Sequence, residues 1–169
     1  MEQLRQMFTI GHSTHPADRF VALLRAHRIE LVCDVRRYPG SRRHPQFNAG
    51  ALMATLGGAG IGYAGLGLEL GGRRGPRGDS PSGSLRAASF RAYAAHMQTP
   101  EFAHGLGRLE GLALERRTAI VCAEGDWRRC HRRLISDALA SRGWRVAHIG
   151  PHGRLEEHQA AIQTGSALR

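Results

Sequence analysis

Ile29-Glu30-Leu31-Val32-Cys33-Asp34-Val35 is the stretch that decides how this chain is read. It is apolar almost throughout, as expected of a strand covered on both faces, and such strands belong to parallel sheets flanked by helices. The run ends in Asp34-Val35-Arg36-Arg37, so polar chemistry begins where the strand stops.

Working outward from this strand, the same alternation recurs. Upstream, Met7-Phe8-Thr9-Ile10 reads as a strand, and Pro16 stands where a helix would begin, with Asp18 in its first turn. Phe20, Leu23, Leu24 and His27 then share one helical face ending near Arg28. Downstream, Phe47, Ala51, Leu52, Met53 and Leu56 predict a helix stopped by Gly57-Gly58, and Ile61-Gly62-Tyr63 predicts a short third strand. Residues 65 to 84 are rich in Gly, Pro, Ser and Arg and read as a long loop, of the kind that is functional or disordered. Two helices follow, one carrying Phe90, Tyr93, Ala94 and Met97, the other starting after Thr99-Pro100 with Phe102, Leu106 and Leu109. The strand Thr118 to Ala123 feeds a helix from about Arg129 to Ser141, and Gly143 closes it before a last strand from Trp144 to Ile149.

The expectation is a single three-layer α/β domain over residues 1–150, Rossmann-like and doubly wound. About five mostly parallel strands carry helices on both faces, and residues 151–169 form a polar tail. With 169 residues and 41% hydrophobic content, one core suffices. No apolar run approaches the roughly 20 residues needed to span a bilayer, and the first residues lack a signal-peptide pattern, so a cytoplasmic protein with no membrane partner is expected.

Three cysteines, Cys33, Cys122 and Cys130, are an odd number in a chain large enough to fold without staples, which argues against a disulfide framework. The formal charge is +10, and all 24 basic residues are arginine. The absence of lysine excludes lysine Schiff-base chemistry and the GxxxxGK[ST] phosphate loop. A strongly cationic chain attracts polyanions, so a nucleic acid or nucleotide is the expected partner.

Three segments run from an apolar strand directly into polar side chains: Gly11-His12-Ser13, Asp34-Val35-Arg36-Arg37, and Glu124 through Arg132. In open α/β sheets ligands bind beyond the carboxyl ends of the strands, and parallel strands would bring all three clusters to one edge. Each also has a bland reading, in which Ser13 or Thr14 caps a helix and Asp34 only pairs with Arg36.

The same residues, with Pro39, Ser41, Phe47, the Leu70-Gly71-Gly72-Arg73 run, and Cys122-Ala123-Glu124 followed by Cys130-His131-Arg132, carry a resemblance. Across about residues 8 to 150 the chain resembles the bacterial domain-of-unknown-function family numbered 488. The resemblance implies an α/β fold and a common site at these strand ends, and it implies no reaction. Asp126-Trp127-Arg128 departs from the family, which more often carries a proline-containing turn there, so any role of Trp127 is local to this chain.

Other motifs fail in context. Gly60-x-Gly62-x-x-Gly65 overlaps a strand instead of joining a strand to a helix, so no dinucleotide cofactor is expected. Cys122-x5-Arg128 has cysteine-phosphatase spacing, but Glu124 and Asp126 inside the loop would oppose a phosphate dianion. Cys122, Cys130 and His131 are soft ligands without C-x2-C spacing, and adjacent Cys130 and His131 should point to different sides of a helical start, so no metal is expected. Cys130 near a helix N-terminus among arginines is instead a candidate low-pKa thiol.

Glu124, Asp34, His12 and Cys130 are therefore the catalytic candidates. Ser13, Arg36, Ser41, Arg42, Cys122, His131 and Arg132 are the ligand-binding candidates, the arginines suited to bidentate phosphate recognition. The leading expectation is a strand-end cleft for a phosphate-bearing ligand, with hydrolase or transferase chemistry at Glu124, Asp34 or His12. Its rivals are an arginine-rich nucleic-acid-binding module and a Cys/His thiol or metal sensor.

Overall fold

The computed structural model describes residues 4–72 and 84–159. Its strands are β1 (Gln6–Gly11), β2 (Leu31–Asp34), β3 (Gly62–Gly65), β4 (Thr118–Cys122), β5 (Arg145–Ile149) and β6 (Leu155–Glu157). They form one sheet in the order β3-β2-β4-β1-β5-β6, in which the first five are parallel and β6 runs antiparallel to β5.

Strand periodicity divides the core into two layers. On β1, Phe8 and Ile10 face one side, where they meet Phe20, Leu23 and Leu24 of α1 (Ala17–Ala26) and Leu52 and Leu56 of α2 (Ala49–Gly58). Met7 faces the other side. There Leu31, Cys33, Ile120 and Cys122 pack with Leu106 and Leu109 of α5 (Pro100–Glu115) and Ile135 and Leu139 of α6 (Arg132–Ser141). Tyr93 of α4 (Ser84–His96) joins the same layer. The mostly parallel three-layer α/β fold is thus as the sequence predicts, with Cys33 fully buried as a core residue.

This topology places the site. From β1 the chain moves past β4 to β2 and β3 through α1 and α2; it then returns to β4 and on to β5 through α4, α5 and α6. With a constant right-handed crossover, reversing direction puts the two helix sets on opposite faces. The reversal falls between adjacent β1 and β4, so the loops leaving their carboxyl ends diverge and open a crevice. Gly11 makes the pair close there: a Cβ on it would lie 2.0 Å from the Glu124 carbonyl oxygen. Backbone pairing continues past the strands, with His12 N–H donating to Cys122 O (2.8 Å) and Ser13 N–H to Ala123 O (3.0 Å).

Three local features differ from the sequence reading. The loop expected from residue 65 opens with a short helix, α3 (Gly67–Leu70), anchored by buried Leu66 and Leu70; residues 73–83 lie outside the described residues. The polar stretch after residue 150 supplies β6, whose three side chains are all exposed, so no apolar alternation marked it. Helix α6 begins three residues later than expected, because Trp127–Arg129 form a 3-10 turn capped by Asp126, which accepts from Arg128 N–H at 3.0 Å. Among the described residues no helix is long and apolar enough to cross a membrane.

Candidate functional site: a thiol pair at the strand switch

The β1, β2 and β4 loops enclose a cleft of about 550 Å³. Its walls include His12, Ser13, Arg36, Ser41, Cys122, Glu124, Cys130 and His131, so members of all three polar clusters meet at one place. Ser13 adopts φ 47°, a left-handed conformation uncommon for a residue with a Cβ and one that recurs at functional sites.

At the floor lie two thiols. Cys122 ends β4, Cys130 follows the 3-10 turn, and their Sγ atoms are 2.8 Å apart as a hydrogen-bonded pair of free cysteines. Cys130 Sγ also lies 3.4 Å from the Arg132 backbone N–H, at the N-terminus of α6, and 3.5 Å from His131 Nδ1. The expectation that Cys130 and His131 diverge is therefore corrected. Cys130 is extended (φ −121°, ψ 152°) while His131 is already helical (φ −59°, ψ −14°), and the bend between them turns the ring back onto the sulfur. His131 Nε2–H donates to Val35 O (2.9 Å), which leaves Nδ1 for the thiol.

Electrostatics distinguish the two sulfurs. Burial pushes both thiols up. For Cys130 the hydrogen bond from Cys122, then His131, then Arg132 outweigh it and hold the thiol well below its ordinary value. For Cys122 burial dominates, the Cys130 hydrogen bond adds to it, and the thiol is raised. The assignment of the thiolate to Cys130 follows from geometry as well, since both His131 Nδ1 and the helix N–H face that sulfur.

Arg132 reinforces this reading. Its side chain is buried, with Nη1–H donating to Thr9 Oγ1 (3.0 Å) and Nη2–H to the carbonyls of Glu124 (2.6 Å) and Gly125 (3.4 Å), while Nε has no hydrogen-bond partner among the described residues. No carboxylate among the described residues forms a salt bridge with it. Burial disfavours its charge, yet the adjacent Cys122 and Cys130 raise its pKa. A buried cation requires a counter-charge, and a thiolate supplies one.

The other candidates fall into distinct places. His12 stacks on Phe47 (ring centroids 4.3 Å apart), and its Nδ1–H donates to Ser13 O at 2.9 Å; burial, with Arg36 nearby, lowers its pKa to about 4 and keeps it neutral. Asp34 lies outside the cleft wall, buried, and accepts from Arg36 Nε (2.8 Å), Arg36 Nη2 (2.7 Å), Arg36 N–H (3.1 Å) and the Tyr63 hydroxyl (2.6 Å). It thereby holds Arg36 at the wall. The exposed Glu124 side chain accepts from Asp126 N–H (3.1 Å) and shapes its own turn. Ser41 Oγ accepts from the N–H groups of Arg43 and His44. Arg42 is exposed and away from the wall, and Arg132 sits behind it.

Several contributors have no local signal in the sequence that ties them to these clusters. His44 and Tyr93 reach the cleft wall from the β2 loop and α4, Tyr63 of β3 reaches Asp34 behind it, and only their placement connects them. Gly71 and Gly72 have a packing reason: a Cβ on Gly71 would meet Arg37 backbone at 2.7 Å, and one on Gly72 would crowd the His131 ring at 3.0 Å.

A three-layer α/β protein with a buried thiol pair under a strand-switch cleft is the class that fold and site define. Residues 16–139 match the family described as Domain of unknown function DUF488, and the chain belongs to that family. No curated protein and no solved structure matches the chain.

Proposed function

We propose that the cleft is a redox-active dithiol site, with Cys130 as nucleophile and Cys122 as resolving thiol. The observation that carries this reading is the 2.8 Å separation of the two sulfurs beside a buried arginine that no carboxylate among the described residues neutralises. The Cys130 thiolate attacks a disulfide sulfur or a hydroperoxide oxygen, forming a mixed disulfide or a sulfenic acid and expelling a thiolate or an alkoxide, which takes up a proton. Cys122 then loses its proton, attacks the Cys130 sulfur and closes a Cys122–Cys130 disulfide, releasing the second thiol or water. The substrate gains two electrons and the pair loses two; an external dithiol restores it.

Peptide mapping after one equivalent of hydrogen peroxide tests this. The expected product is the Cys122–Cys130 disulfide with Cys33 still reduced, and in Cys122→Ser a trappable sulfenic acid at Cys130. Random oxidation of the three cysteines, or none, refutes the proposal.

The cations at the wall favour a second reading, capture of a phosphate-bearing anion, nucleotide or nucleic acid, without sulfur chemistry. Arg36, Arg37 and Arg129 line the cleft, and Glu124 is the one carboxylate among its described lining residues. Binding of a labelled oligonucleotide that falls steeply with salt and is lost in Arg36→Ala would support this reading. Unchanged binding in that variant would move the polyanion off the cleft.

A further inference from the structure

Arg132 is anchored on its other side by a chain of groups that never touches the cleft. Its Nη1–H donates to Thr9 Oγ1 of β1, which lies 2.6 Å from His148 Nδ1 of β5. His148 Nε2 is 3.0 Å from His158 Nδ1, just beyond β6, and His158 Nε2 is 2.7 Å from Asp137 Oδ1 of α6. Thr9 and His148 are buried, and Trp127 stacks flat on His148 with ring centroids 4.0 Å apart and planes 8° from parallel.

One placement of hydrogens satisfies every link. Arg132 donates to the Thr9 oxygen, Thr9 O–H to His148 Nδ1, His148 Nε2–H to His158 Nδ1, and His158 Nε2–H to the Asp137 carboxylate. This placement keeps His148 neutral. Burial, followed by the charges of His158, Arg132 and Arg128, lowers its pKa to about 3, in agreement.

We propose that Thr9, His148, His158 and Asp137 are positioning residues that fix the Arg132 guanidinium next to the Cys122–Cys130 pair. The proposal rests on the thiolate reading given above. Arginine has many rotamers, and a buried one whose fork reaches the Glu124 carbonyl, which Cys122 Sγ also meets at 3.6 Å, needs that fork held from behind. A carboxylate placed directly on Arg132 would hold it equally well but would neutralise the charge and compete with the thiolate. Here the carboxylate stands four links away, and the three neutral groups between pass on orientation without removing charge from the guanidinium. The titratable neighbours of Cys130 that set its state are then Cys122 on β4, with His131 and Arg132 at the start of α6.

The test is the pH profile of Cys130 alkylation by iodoacetamide in the full chain, read peptide by peptide, with melting temperature measured alongside. Thr9→Val should move the midpoint up by about one pH unit, slowing alkylation about tenfold at pH values below both midpoints. Thr9→Ser, which keeps the hydroxyl, should restore the wild-type midpoint, and Asp137→Asn should shift it upward by less. A folded Thr9→Val with an unchanged midpoint overturns the positioning role while leaving the thiolate reading intact. Should Thr9→Val fail to fold, Asp137→Asn decides on the same criterion. A wild-type midpoint at the ordinary thiol value overturns both.

Discussion

Replacing Asp34 with asparagine should be among the most damaging single changes in this protein. Asp34 is 1% exposed, its partner Arg36 is 8% exposed, and the carboxylate accepts from three Arg36 donors and from the Tyr63 hydroxyl. An asparagine keeps the shape but, whichever way its amide turns, sets an NH2 against a guanidinium N–H, donor against donor, and leaves a buried cation without its counter-charge. Removing one partner of a buried pair costs about 3–5 kcal/mol. In a domain of this size that corresponds to a melting-temperature fall of roughly 6–20 °C. Urea denaturation followed by tryptophan fluorescence measures the loss, and Asp34→Leu combined with Arg36→Met should recover most of it, because apolar residues of similar volume replace buried ion pairs well. A loss below about 1 kcal/mol for Asp34→Asn would refute the argument that this carboxylate is there to hold Arg36.

Gly11→Ala should destabilise the fold and shift the Glu124 carbonyl, because the new methyl would stand 2.0 Å from that oxygen, an acceptor of the Arg132 fork. The check is a lowered melting temperature together with a raised midpoint for Cys130 alkylation; normal values for both would contradict the close approach. Acid should weaken the protein in a defined window. His12, lowered to about 4, and His148, lowered to about 3, stay neutral in the fold but take up protons in the unfolded chain below about pH 6.5. The stability they contribute is therefore present above that pH and lost as pH falls toward 4 and 3, roughly 2 kcal/mol each between pH 7 and 5. Denaturation curves at the two pH values test this, and His12→Asn should flatten the dependence by its share.

The α/β class and the shared strand edge were legible because they depend on local patterns. The apolar run through Ile29–Val35 needs cover on both faces, and the polar residues that follow three separate strands must converge if those strands are parallel. What was not legible depends on neighbours distant in sequence. Asp34 read equally well as a catalyst or an arginine partner, and Tyr63 of β3 helps to fix it as the partner. Arg132 read as an anion-binding group because nothing local marks it as buried behind the loop that it holds. His148 and His158 have no local signal, because strand β6, with every side chain exposed, has no apolar pattern to announce that the chain returns to the sheet.

The central claim is that Cys130 is a thiolate at neutral pH while Cys122 and Cys33 are not. Alkylation rates of the three cysteines between pH 5 and 10, followed by peptide mass, test it most directly. The account predicts that Cys130 reacts first and that its rate levels off at a pH well below about 8.5, the value for an unperturbed thiol. Cys33, which burial, with Asp34 adding and Arg108 opposing, pushes up to about 12, should stay slow throughout. Equal, slow labelling of all three cysteines would contradict the account.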